Sequence, residues 1–222
     1  MITLVDYGVG NINAFVNVYK RLDVPVKIAK TRTDLIGAEK LILPGVGHFD
    51  HAMTQLNQSG MRETLDDLVL GGDIPVIGIC VGMQMMAKSS DEGEMEGLGW
   101  IDAQVKIFDR KKIDYVTQLP HMGWNDVKPI KDLALFNGLE KDAIFYFLHS
   151  YYFECNCSED ILAVTNYGGE YTSAAHYKNR FGIQFHPEKS HHYGEVLLGN
   201  FAKLNVEENV TTKNYSQPAY TG

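Results

Sequence analysis

The sequence predicts an α/β fold: a flavodoxin-like, mostly parallel sheet flanked by helices, carrying an antiparallel extension. Three observations predict it. Short runs such as Ile2–Val5 and Pro75–Ile79 are apolar almost throughout, as strands covered on both faces must be. Glycines and a helix-period segment follow them, the βα alternation of a parallel sheet. Beyond about residue 100 the pattern changes to strand-like runs separated by loops and turns.

Taken in order, Ile2–Val5 is the first strand, and Gly8 and Gly10 lead into an amphipathic helix over Ile12–Leu22. Val26–Ala29 and Leu41–Leu43 are the next two strands, the latter ended by Pro44-Gly45-Val46-Gly47. Helical periodicity covers about Asp50–Leu56 and Met61–Leu70. Pro75–Ile79 then runs straight into Cys80 and a helix over Met83–Ala87. Trp100–Phe108, Gly123–Val127, Ala143–Phe153, Ile161–Asn166, Ala174–Tyr177 and Phe181–Phe185 read as strands, and Tyr193–Leu204 as the closing helix. One domain is expected over 1–204, followed by a polar, weakly ordered tail over 205–222.

The 222 residues, 45% of them hydrophobic, suffice for a core that needs neither disulfide nor metal. Twenty basic and 28 acidic side chains give a net charge of −8, which argues against a nucleic-acid binder or a polybasic membrane-surface protein. Three cysteines make no disulfide scaffold, the N-terminus lacks the pattern of a cleavable signal, and no apolar run approaches the ~20 residues of a membrane span. A cytoplasmic globular protein is expected.

The chemistry concentrates at Gly78-Ile79-Cys80-Val81-Gly82, which follows a strand and opens a helix. This is the arrangement of a nucleophile elbow with cysteine in place of serine. The chain must turn sharply there, and side chains at the flanking positions would strike neighbouring backbone. A sulfur at a helix N-terminus sits at the positive end of the dipole, which favours thiolate. The competing reading, a buried packing cysteine, lacks a reason for the glycine frame.

A base is supplied by Phe185-His186-Pro187-Glu188. Pro187 pushes His186 out of the α region. In extended chain residues i and i+2 face one side, which aims His186 and Glu188 at one site. A carboxylate beside an imidazole fixes its tautomer. The remaining candidates are weaker: His48 and His51 have no third ligand, and His191-His192 with Cys155-x-Cys157 has no standard metal spacing, so no metal is expected. Gly8-Val9-Gly10 lacks the third glycine of a dinucleotide fingerprint, and no cofactor is implied.

Pro44-Gly45-Val46-Gly47, Gly78-Ile79-Cys80-Val81-Gly82-Met83-Gln84 and Phe185-His186-Pro187-Glu188-Lys189-Ser190 together resemble the triad-type (class I) glutamine amidotransferases. Asp6-Tyr7-Gly8-Val9-Gly10-Asn11, Pro120-His121-Met122-Gly123-Trp124-Asn125 and His149-Ser150-Tyr151 narrow the resemblance to the glutaminase subunits of imidazole glycerol phosphate synthases, over about residues 1–204. The resemblance implies that Cys80 attacks the side-chain amide of glutamine, that His186 acts as base and then acid, and that Glu188 orients His186. It implies an oxyanion site along Gly45, Val46 and Gly47 and at the N–H of Val81. It also implies glutamine contacts from Gln84, Glu92 and the His149, Ser150, Tyr151 stretch.

Ammonia released into water at neutral pH is mostly protonated and no longer nucleophilic. Only 205–222 follow the resembling region, too few residues for an acceptor domain. The resemblance therefore implies a second chain, a HisF-like (β/α)8-barrel cyclase that makes imidazole glycerol phosphate and AICAR in histidine biosynthesis. Met122, Trp124 and Lys189 are its candidate contacts. The chain departs from the family pattern at Asn11-Ile12-Asn13-Ala14, where an arginine is usual, and at Val81 and Met86-Ala87-Lys88. Those departures keep open a related glutaminase feeding a sugar amidotransferase of surface-polysaccharide synthesis; a stand-alone cysteine amidohydrolase, active without a partner, is a separate alternative.

Overall fold

The computed structural model describes residues 1–114 and 118–204; the tail expected at 205–222 lies outside the described residues. In chain order the elements are β1 (Ile2–Val5), α1 (Ile12–Arg21), β2 (Val26–Ala29), β3 (Leu41–Gly45), α2 (Phe49–Gln58), α3 (Arg62–Asp66), β4 (Val76–Cys80), α4 (Val81–Met85) and β5 (Ser89–Ser90). There follow β6 (Ala103–Ile107), β7 (His121–Asp126), β8 (Lys128–Pro129), β9 (Ile144–His149), β10 (Tyr151–Cys155), β11 (Ile161–Asn166), β12 (Glu170–Tyr177), β13 (Arg180–Ile183) and α5 (His191–Lys203).

The main sheet runs β2-β1-β3-β4-β13-β12-β10-β6-β5, with β11 beside β12 and β8 beside β11. Its first five strands are parallel, and β12 turns the direction. β7 and β9 form a separate antiparallel pair. β1, β3, β4 and β13 are buried at every residue, which is why their sequences show no polar alternation. The core between sheet and helices holds Phe15, Tyr19, Phe49, Phe181 and Phe201, all essentially inaccessible to solvent. Among the described residues no helix is long and apolar enough to cross a membrane.

Several expectations shift: β6 (Ala103–Ile107) is shorter than Trp100–Phe108, β7 and β12 begin earlier than Gly123 and Ala174, and β13 ends at Ile183 rather than Phe185. β3 extends through Pro44 to Gly45, because Gly45 registers against Cys80 of β4. The helix after Cys80 begins at Val81, two residues before the expected start. The helix expected over Met61–Leu70 is α only to Asp66, continuing in wider π-type turns over Asp67–Gly71. The run Ala143–Phe153, expected as one strand, breaks at Ser150: β9 pairs β7, and β10 passes into the main sheet against β6 and β12.

Candidate active site

Cys80 ends β4 and has φ 55°, ψ −112°, a conformation L-residues adopt at a cost of about 1–3 kcal/mol. Its neighbours show how the turn is accommodated. A Cβ on Gly78 would lie 2.6 Å from the Gly82 carbonyl oxygen, one on Gly82 would overlap the Leu43 carbonyl, and one on Gly45 would overlap the Gly82 nitrogen. Three backbones meet here at a distance only hydrogen allows. Gly45 therefore serves close packing under the elbow and does not line the cavity beside the sulfur.

That cavity, of about 310 Å³, lies within the range that takes small ligands. Cys80, Val81, Gln84, Glu92, His149, Ser150, Tyr151, His186 and Lys189 border it with Val46 and Gly47, so the structure brings together residues the sequence separated by over a hundred positions. Pro120 and Leu148 complete the wall; the sequence analysis did not single either out for this role.

His186 is fixed from both sides of its backbone. Its N–H donates to the Tyr146 carbonyl of β9 (2.9 Å), and its carbonyl accepts from Ser190 Oγ (2.6 Å). Its Nδ1 lies 2.8 Å from Glu188 Oε1, and both side chains are only 3% exposed. Extended geometry holds for His186 itself, but 187–189 form a 3₁₀ turn; the pairing comes from that turn and not from strand alternation. Burial alone would push His186 down. The Cys80 sulfur, as hydrogen-bond partner and as charge, together with Glu188, overrides it and lifts the imidazole to about 10.

Gln84 is buried on α4 and spends both amide hydrogens inside the protein, on the Tyr151 carbonyl (3.1 Å) and on Gln184 Oε1 (3.0 Å). Only its Oε1 remains for a ligand, which suits an ammonium rather than a carboxylate. Glu92 accepts from the Phe49 N–H (2.8 Å), capping α2 directly after the 45–48 loop. Neighbouring Asp91 is instead held by Lys106 and the Ile107 N–H. His149 turns away into a buried polar cluster: its Nδ1 is 2.7 Å from the Tyr151 carbonyl, and its Nε2 3.2 Å from both His121 Nδ1 and Tyr171 Oη. Tyr7 donates to the Pro44 carbonyl (2.7 Å), supporting the same loop from below.

Met122 and Trp124 lie on the outer face of β7, 62% and 46% exposed, so Trp124 is not a core aromatic. Trp124 stacks on His191, and the Lys189 ammonium sits 5.7 Å from the Tyr146 ring centre. All three cysteines are free thiols, and burial foremost, with Asp160 beside it, pushes Cys155 up to about 12.

The model of the family described as glutamine amidotransferase class-I matches residues 3–204. The chain belongs to the class-I glutamine amidotransferases. Within this family it is 57% identical to the imidazole glycerol phosphate synthase subunit HisH of Bdellovibrio bacteriovorus, over 92% of this chain and all of that one. It is 50% identical to the subunit of the same name from Leptospira borgpetersenii, again over 92% and 100%. A crystal structure described as a glutamine amidotransferase superposes with a TM-score of 0.70 at 19% identity, covering 91% of this chain and 99% of that one. The amidotransferase fold thus accounts for the mostly parallel sheet, and the two relatives place the chain in the HisH branch of the family.

Proposed function

We propose that the chain is the glutaminase subunit of an imidazole glycerol phosphate synthase, working in the cytoplasm in histidine biosynthesis. Cys80 is the nucleophile. His186 is the base that takes the thiol proton before the attack and holds it as imidazolium while the Sγ thiolate adds to the side-chain amide carbon of glutamine; it then gives that proton to the departing ammonia. Water, deprotonated by the same imidazole, cleaves the γ-glutamyl thioester to glutamate and regenerates the thiol. Glu188 holds the imidazolium and fixes its tautomer. Backbone N–H groups at Val81 and along Val46–Gly47 receive the oxyanion, each worth about 3–4 kcal/mol of barrier. Glu92 and Gln84 Oε1 receive the ammonium of glutamine, and the 149–151 stretch flanks its amino-acid end.

The observation that carries this reading is the meeting of Cys80 and His186 on one cavity, with Glu188 behind the imidazole at 2.8 Å, in a chain 57% identical over its relative's full length to a HisH subunit. The ammonia needs a dry route to an acceptor, so the reading includes a HisF-like (β/α)8-barrel partner docked over Met122, Trp124 and Lys189. The names of the relatives favour histidine biosynthesis over sugar amidation.

Glutamate release by the chain alone, and with a HisF-type cyclase plus its ribonucleotide substrate, tests the reading. Turnover that appears in the mixture together with imidazole glycerol phosphate is expected. Turnover indifferent to that substrate would move the chain to another acceptor, and glutaminase activity surviving Cys80→Ala would remove the nucleophile assignment.

A further inference from the structure

Gln184 lies one residue beyond β13, is completely buried, and directs its Nε2 at Cys80 Sγ from 3.7 Å. A buried carboxamide can present either end to a neighbour, and here the surroundings decide which. The Tyr151 carbonyl can only accept, so the group of Gln84 facing it must be the NH2. The second hydrogen of that NH2 meets Gln184 3.0 Å away, and Gln184 must offer its oxygen there. Its own NH2 is left facing the sulfur. The His149 Nδ1–H, also on the Tyr151 carbonyl, holds the far end of the chain. A backbone oxygen thus sets the polarity of two successive amides and delivers an N–H to the sulfur.

We infer that Gln184 is a further catalytic residue of the glutaminase reaction, donating an N–H to the Cys80 sulfur when it carries negative charge, with Gln84 as the positioning residue that keeps the donor turned inward. A sulfur lone pair accepts a hydrogen bond better as thiolate than as thiol, so the contact stabilises the attacking form and is restored when the thioester is cleaved. Gln184 exchanges no proton. The inference rests on Cys80 being the nucleophile. The titratable groups whose charge bears on the sulfur are His186, with Glu188 behind it, and the more distant hydroxyls of Tyr7 and Tyr171, which are hydrogen-bonded to the Pro44 carbonyl and to the His121–His149 cluster. None of these belongs to the Gln84–Gln184 pair, so altering the pair leaves them in place.

The test is the rate of iodoacetamide labelling of the full-length chain between pH 5 and 10, read at the Cys80 peptide by mass spectrometry so that Cys155 and Cys157 do not contribute. Gln184→Met keeps the side-chain length and removes the donor. Its labelling midpoint is expected to move up by about one pH unit, with labelling at pH 7 slowed about tenfold and the high-pH plateau kept. In the complex its kcat for glutamine should fall more than its KM changes. Gln84→Met, which can no longer donate to Gln184 Oε1 and lets the Gln184 amide turn over without adding charge, should shift the midpoint in the same direction. It decides the matter if Gln184→Met does not fold. Unchanged midpoints in the folded variants, or rates lowered equally at every pH, would overturn the inference. Retained glutaminase activity in Cys80→Ala would instead overturn the nucleophile assignment, so the two failures are distinguishable.

Discussion

His121 Nδ1 lies 3.2 Å from His149 Nε2, so two buried imidazoles on adjacent strands share one hydrogen bond and both stay neutral. Burial holds His121 near 4; burial first, then the positive charge His121 would carry, holds His149 near 3. Both lie below the ordinary 6.5, so the unfolded chain binds more protons as pH falls. Stability should therefore be lost from pH 6.5 toward 4, at a slope of about 1.4 kcal/mol per pH unit for each histidine. Urea unfolding at pH 7, 6, 5 and 4.5 should show it, and His121→Gln should take away about half the slope. An equal slope in the variant would mean that other groups carry the acid sensitivity.

His186 works in the other direction. Its folded value, near 10, is above the unfolded 6.5, so its contribution is complete below pH 6.5 and fades as pH rises through about 10. Thermal unfolding of wild type against His186→Gln from pH 6 to 10 should converge as pH rises. Parallel curves would contradict the pairing with Glu188 and Cys80.

Gly82→Ala should destabilise the chain by more than about 3 kcal/mol, because its Cβ would overlap the Leu43 carbonyl and neither backbone can retreat. Gly47→Ala meets no atom within 4 Å and bears only the strain of φ +85°, about 1–2 kcal/mol. Its larger effect should fall on kcat, through the loop that borders the cavity. Denaturant midpoints separate the two.

Trp124→Ala should leave stability within about 1 kcal/mol, since nearly half the side chain is exposed, yet weaken the cyclase complex by about 2 kcal/mol or more, some thirtyfold in Kd. Calorimetric titration measures this directly. An unchanged affinity would place the docking surface elsewhere.

Much of this was legible in the sequence. β1, β2 and β11 have the bounds that their apolar runs suggest, and the glycine frame around Cys80 with His186-Pro187-Glu188 marked residues that the fold brings together. The break at Ser150 was hidden because both halves of Ala143–Phe153 are equally strand-like; which sheet a strand joins is decided by distant partners. Gln184 was hidden for a related reason: a lone polar residue in Phe181–Phe185 shows no sign of what it faces. Glu188 was found with a strand argument where a 3₁₀ turn does the work, since the two-residue spacing suits both. The steric role of Gly45 required the backbone of α4 beside it, 37 positions further along the chain.

The crowding beneath Cys80 makes the frame stricter than the atom it carries. Gly45, Gly78 and Gly82 admit no larger side chain, whereas the Cys80 side chain borders a cavity and a smaller one there strikes no backbone. Chemistry and architecture are therefore separable by mutation. On the proposed function, a silent subunit that still folds is one substitution at Cys80 away, and a cyclase bound to it would be fed by free ammonia alone.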